Sequence, residues 1–98
     1  HRYSRVMSLK NAFSKSFKES DIVLMCPLYP AGEKNKLNFN KINFAKLISQ
    51  NSKTQVILVK SQNDISNYFK KHLLEDEIII GMGAGSISKW MRELRYSL

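Results

Sequence analysis

Residues 21–33, Asp21-Ile22-Val23-Leu24-Met25-Cys26-Pro27-Leu28-Tyr29-Pro30-Ala31-Gly32-Glu33, hold an apolar run that ends in a turn. The segment from Asp21 to Tyr29 reads as a strand. Its centre is apolar throughout rather than alternating, which suits a strand covered on both faces, as in parallel sheets. Pro30-Ala31-Gly32-Glu33 and the polar stretch to Asn40 then read as a loop, since proline removes a backbone donor and glycine tolerates turn geometry.

Working outward, each side of this strand carries helical spacing. Upstream, Leu9, Ala12, Phe13, Ser16 and Phe17 recur at the interval of one buried helix stripe, with Ser8 as the expected N-cap. Downstream, Ile42, Ala45 and Ile48 mark a second helix, and Phe44 and Leu47 widen its apolar face. Gln55-Val56-Ile57-Leu58-Val59 is rich in β-branched residues and reads as a second strand, followed by a cap-like Asn63-Asp64. A third helix carries Ile65, Tyr68, Phe69, His72 and Leu73 on one side and ends near Glu75-Asp76. Glu77 to Met82 is expected to be a third strand. Gly83-Ala84-Gly85 breaks it, and Ile87, Trp90, Met91 and Leu94 trace the inner stripe of a last helix.

The order is αβαβαβα. Strands alternating with helices of this length form crossover units, so the expected architecture is an open, mostly parallel sheet with helices on both faces. A chain of this pattern that starts with a helix lacks the strand expected before it. His1 is not a methionine, and the opening residues are polar with no cap, so a fragment is expected. At 98 residues, one core fits and a second does not.

Composition narrows the function classes. Hydrophobic residues make up 43% of the chain, too many for a disordered segment. No apolar run approaches the roughly 20 residues of a membrane helix, and the first residues do not resemble a secretory signal. Cys26, the single cysteine, has no partner for an internal disulfide and is expected to be a buried structural thiol. The net charge of +8 raises a nucleic-acid reading. The lysines, however, run from Lys10 to Lys89 along the whole chain rather than in the stripe a nucleic-acid module shows, so solvated helix faces account for them and no nucleic-acid partner is expected.

Ligands of open α/β sheets gather beyond the carboxyl ends of the strands. Three segments are expected there: His1 to Arg5, Tyr29 to Glu33, and Gly81 to Ser86. In the last, glycines at a strand-to-helix turn let backbone amides approach an anion, or simply make a tight turn. It is not a Walker A loop, because Ser86-Ile87 stands where Gly-Lys is required, nor a full dinucleotide fingerprint, because Ser86 stands at the third glycine. Arg2 and Arg5 are able to grip a carboxylate or phosphate through their forked donors, or are plain exposed arginines. Tyr29 and Glu33 flank a Pro-Ala-Gly turn where a phenol and a carboxylate suit polar ligand groups; a plain surface turn fits equally. His72 falls on an apolar stripe, as a core or boundary histidine does, and no metal-binding cluster or hydrolytic triad is visible.

Taken together, His1-Arg2-Tyr3-Ser4-Arg5, Tyr29-Pro30-Ala31-Gly32-Glu33 and Gly83-Ala84-Gly85-Ser86-Ile87 resemble, in order and spacing, the C-terminal domain of bacterial UDP-N-acetylmuramate:L-alanine ligases, in the Mur ligase family. The likeness covers nearly the whole chain. It implies a Rossmann-like three-layer αβα domain with its first strand missing, residues 1–98 being one partial C-terminal domain. The implied enzyme is cytoplasmic and serves peptidoglycan precursor synthesis. With ATP and Mg it phosphorylates the lactyl carboxylate of UDP-N-acetylmuramate, which the amine of L-alanine then attacks. This domain positions the amino acid and closes over ATP, which is bound mainly outside it, and is inactive alone. By motif position Arg2 and Arg5 hold the alanine carboxylate, His1 and Tyr3 frame that loop, Tyr29, Ala31, Gly32 and Glu33 line the next, and Gly83 and Gly85 shape a third wall.

Two features depart from the family pattern. Pro27 stands where many members carry an acid, and the histidine-rich motif upstream of the domain's first strand is absent. The missing strand leaves a sheet edge unpaired, which favours marginal stability or self-association. The rival reading from the same residues is a stand-alone Rossmann-like module that binds a nucleotide or sugar phosphate without other domains. A basic nucleic-acid-binding domain is the third.

Overall fold

The computed structural model describes residues 3–27, 40–73, 76–83 and 86–97. In chain order they form α1 (Tyr3–Ser8), α2 (Lys10–Ser14), β1 (Ile22–Met25), α3 (Lys41–Ser52), β2 (Gln55–Leu58), α4 (Gln62–His72) and α5 (Ile87–Ser97). The two strands pair in parallel, Ile22 opposite Gln55 and Met25 opposite Leu58. Val59 N–H continues the pairing by donating to Met25 O at 3.0 Å.

Parallel neighbours cannot be joined by a hairpin, so the chain must cross over, and α3 is that crossover. Asn40 starts it: its Oδ1 accepts the Asn43 N–H at 3.0 Å, which satisfies one of the helix's orphan donors. Ala45, Ile48 and Ser52 are its buried face. It ends at Lys53 in the left-handed region, φ 53°. α2 packs against α3 on one side of the sheet. Val59, Ile65 and Leu94 form the core cluster, with Leu24, Cys26, Phe69, Ile79, Trp90 and Met91 packed on it. The chain is thus an α/β fold with a small parallel sheet.

A buried polar network fixes the end of the sheet where the strands begin. Ser14 Oγ donates to Asn11 O and accepts from Asn51 Nδ2, both at 2.8 Å. Ser52 Oγ donates to Ser14 O at 2.5 Å and accepts from Phe17 N–H at 3.2 Å. Thr54 Oγ1 reaches Ser20 O at 2.7 Å and Asp21 O at 3.0 Å, tying the entry of β2 to the entry of β1. Ser14, Ser52 and Thr54 are all buried, and no buried side-chain N or O among the described residues lacks a partner. Burying these hydroxyls is therefore not penalised, since each replaces its water with a protein partner.

Several expectations are corrected. The first helical run starts at Tyr3, and Ser8 is not its cap; Ser8 Oγ instead bonds back to Arg5 O at 3.1 Å, the local back-bonding open to a serine inside a helix. Its buried positions are Val6 and Ser14, whereas Ala12 and Ser16 face solvent. Helical bonds from Leu9 N to Arg5 O and from Phe13 N to Leu9 O carry the run across the break at Leu9. Ile42 lies outside the apolar face, 56% exposed. The cap of α4 is Ser61, not Asn63-Asp64, and that helix closes at His72, which is exposed and stacks on Tyr68 with ring centroids 4.7 Å apart. The strand expected over Glu77–Met82 makes no ladder among the described residues. Burial along it still alternates: Ile79 packs on the core, while Ile78, Ile80 and Met82 are 87%, 76% and 74% exposed.

Ser52→Ala would orphan the Ser14 carbonyl and the Phe17 amide together. The expected loss is about 1–3 kcal/mol in urea unfolding, and a change within about 0.5 kcal/mol would show that the network does not hold this end of the fold.

Candidate functional site

Because β1 and β2 run the same way, their carboxyl ends, Met25 and Leu58, lie on one rim. α3 ends beside the strand entries through Ser52, so its start at Asn40-Lys41 lies at the opposite, carboxyl end, as does the start of α4 at Ser61-Gln62. The amino ends of both helices, where partial positive charge collects, therefore open on the same rim.

Local chemistry differs along that rim. Burial pushes the Cys26 thiol above its ordinary range, and the positive charge of Lys41 pulls partly against that rise. At neutral pH the group is a protonated thiol, a weak nucleophile, consistent with a packing role for a half-buried cysteine. At α4, Asp64 Oδ2 accepts the Lys60 N–H at 2.8 Å and Asp64 N–H donates to Ser61 Oγ at 3.3 Å. A carboxylate of the chain itself thus occupies the start of this helix.

The third segment expected to bear ligand-facing residues precedes α5. Gly83 has φ +138°, a conformation that side-chain-bearing residues rarely adopt, and it stands in a bend that turns the chain toward the helix. Gly81 is needed for a different reason. A Cβ there would overlap Met91 Cγ and sit 2.8 Å from Met91 Sδ, so the backbone lies directly on the α5 side chain.

Of the site residues expected from the sequence, Tyr3, Arg5 and Gly83 are described. Tyr3 and Arg5 are in helix α1 rather than in a loop, Tyr3 partly buried and Arg5 exposed. Ser14, at the far end of this helical run, is tied to the strand entries through Ser52. Gly83 belongs to the turn before α5. His1, Arg2, Tyr29, Ala31, Gly32, Glu33 and Gly85 lie outside the described residues.

Lys41 beside Cys26, and the caps Asn40 and Ser61, were not read as rim features, although Ser61-Gln62-Asn63-Asp64 carries the spacing of a capping box. Among the described residues no three His, Cys, Asp or Glu side chains come together as a metal site requires. No described helix is long and apolar enough to cross a membrane.

No family model matches the chain. Curated relatives do. A protein of Pelagibacter ubique named UDP-N-acetylmuramate--L-alanine ligase is 49% identical over 94 residues, 96% of this chain and 20% of the relative. Proteins of the same name from Fusobacterium nucleatum and Desulfatibacillum aliphaticivorans are 36% identical over 98 residues and 32% over 87 residues, covering 100% and 89% of this chain. The chain spans about a fifth of the length of these relatives.

Two outcomes are expected from the rim. Gly83→Ala destabilises by about 1–2 kcal/mol through its positive φ, read as a lower urea midpoint at unchanged slope; an unshifted midpoint would remove the conformational argument. Because the folded state holds the Cys26 thiol above its unfolded value, the stability tied to that group is complete below the unfolded value and is lost as pH rises through the folded one. Unfolding titrations from neutral to strongly alkaline pH should therefore show a component that Cys26→Ser abolishes.

Proposed function

We propose, because this chain belongs to the family of UDP-N-acetylmuramate:L-alanine ligases along the stretch it spans, that it is the C-terminal domain of such an enzyme and positions L-alanine for joining to UDP-N-acetylmuramate. A carboxylate is a poor electrophile for an amine. ATP supplies the activation by phosphorylating the lactyl carboxylate, after which the alanine nitrogen attacks the acyl carbon and phosphate leaves. The share of this chain is orientation: an amino acid held by its carboxylate presents its amine in one direction only.

Arg2 and Arg5 are the residues proposed to hold that carboxylate, through parallel N–H···O bonds that a lysine cannot make. The exposure of Arg5 on α1, which leaves its guanidinium open to a ligand, supports this role. His1 and Tyr3 frame the same segment, and Tyr29, Ala31, Gly32 and Glu33 form the neighbouring wall. Gly83 and Gly85 bring bare backbone to the third wall, for which the positive φ at Gly83 is the supporting observation.

The described residues offer no carboxylate or histidine cluster that suits Mg2+, so no metal step is assigned to them. ATP and its metal belong mainly to the remaining four-fifths of the enzyme, over which this domain closes. A UDP-linked precursor and ATP place the reaction in the cytoplasm, in cell-wall synthesis, and the isolated domain does not turn over. The 49% identity that runs through nearly the whole chain is the observation that carries this reading.

In the full-length ligase, Arg5→Ala should raise the KM for L-alanine by roughly tenfold or more, about 1.4 kcal/mol, with the KM for ATP within about twofold. Alanine kinetics that do not change would end the assignment of Arg5 to the carboxylate.

A further inference from the structure

We infer that Met91 is a positioning residue for the proposed L-alanine site: its side chain is the seat on which the backbone at Gly81 rests, and that seat fixes where Gly83 presents bare backbone. The inference deepens the reading of Gly83 as a wall of that site and rests on it. Burial alternates along the segment before α5, with Ile79 inward between the exposed Ile78 and Ile80, so the next inward position is Gly81. The side chain that Gly81 lacks would point at α5, and Met91 occupies that space. A Cβ there would overlap Met91 Cγ, and would lie 2.8 Å from its Sδ and 3.3 Å from its Cε.

The repeat of α5 matches this arrangement. Ile87 and Met91 are four residues apart and share a helix face, about 6 Å from one another along the axis. Two residues of extended chain cover ~6.6 Å. Gly81 over Met91 and Gly83 over Ile87 are thus two contacts in register, with the segment and the helix running in opposite directions. The second is the looser of the two: a Cβ at Gly83 would stand 3.5 Å from Ile87 Cγ2, an ordinary contact distance. Only the contact at Met91 excludes an added atom, so it sets the height of the backbone above the helix. Gly83, two residues further on and at φ +138°, inherits that height.

Met91 does not give way easily. Its Cγ moves only with χ1, and a helix closes one of the three χ1 wells to a long side chain. Swinging it aside also withdraws it from the cluster of Val59, Ile65 and Leu94, on which it packs. An unbranched thioether suits the seat, because it follows the irregular contour that bare backbone leaves. A methyl group added at position 81 is therefore accommodated by the backbone lifting off α5, and Gly83 moves with it.

The test is kinetic and uses the full-length ligase. Gly81→Ala should raise the KM for L-alanine on the order of tenfold, with kcat at saturating L-alanine and the KM for ATP within about twofold. A loss of folded enzyme alone would instead lower kcat and leave both KM values in place. Combining Gly81→Ala with Met91→Ala makes room for the new methyl and should return the KM for L-alanine to within about threefold of the unaltered enzyme. Met91→Leu keeps a Cγ at the seat and should leave that KM unchanged. An unmoved KM in Gly81→Ala overturns the role of Met91, and so does a double variant that folds without recovering; if the double variant does not fold, Gly81→Ala alone decides. Gly83→Ala separates this inference from the reading beneath it. If Gly83→Ala shifts the KM for L-alanine and Gly81→Ala does not, only the seat falls; if neither shifts it, the third wall falls as well.

Discussion

Parallel pairing of β1 with β2 is the constraint from which the rest of this structure follows. It forbids a short connection and so requires α3. It also aligns both strand exits on one edge, where the amino ends of α3 and α4 then open. Nothing in the chemistry of Cys26, Lys41 or Ser61 would put them on one rim if the strands ran in opposite directions.

The two ends of the sheet are built differently. At the strand entries, neutral hydroxyls and amides from Ser14, Asn51, Ser52 and Thr54 tie α2 to α3 and the entry of β2 to that of β1. At the exits stand the half-buried Cys26 and the capped starts of α3 and α4.

The sequence was most readable where one physical signal acted alone. The apolar centre of β1 and the β-branched residues of β2 marked both strands, and Ala45, Ile48, Ile65 and Leu94 were assigned inward correctly. Glu77–Met82 misled because a strand is a relation between two segments, and a run of isoleucines says nothing about whether a neighbour is present. Ser8 and Ser14 show a similar limit. Each is a small hydroxyl within a helical run that bonds back to its own turn, yet only Ser14 is also drawn into a buried network, by Asn51 and Ser52 thirty-seven and thirty-eight residues away. The ten expected site residues were legible through family motifs, and three of them, Tyr3, Arg5 and Gly83, fall on described elements.

The clamp at the strand entries contains no formal charge, although the chain as a whole carries +8. Counterions leave bonds between hydroxyls and amides essentially untouched, while they damp the mutual repulsion of sixteen cationic side chains. Moderate ionic strength therefore tightens this fold, and the base of the domain keeps its rigidity through swings in salt that would loosen one assembled from ion pairs.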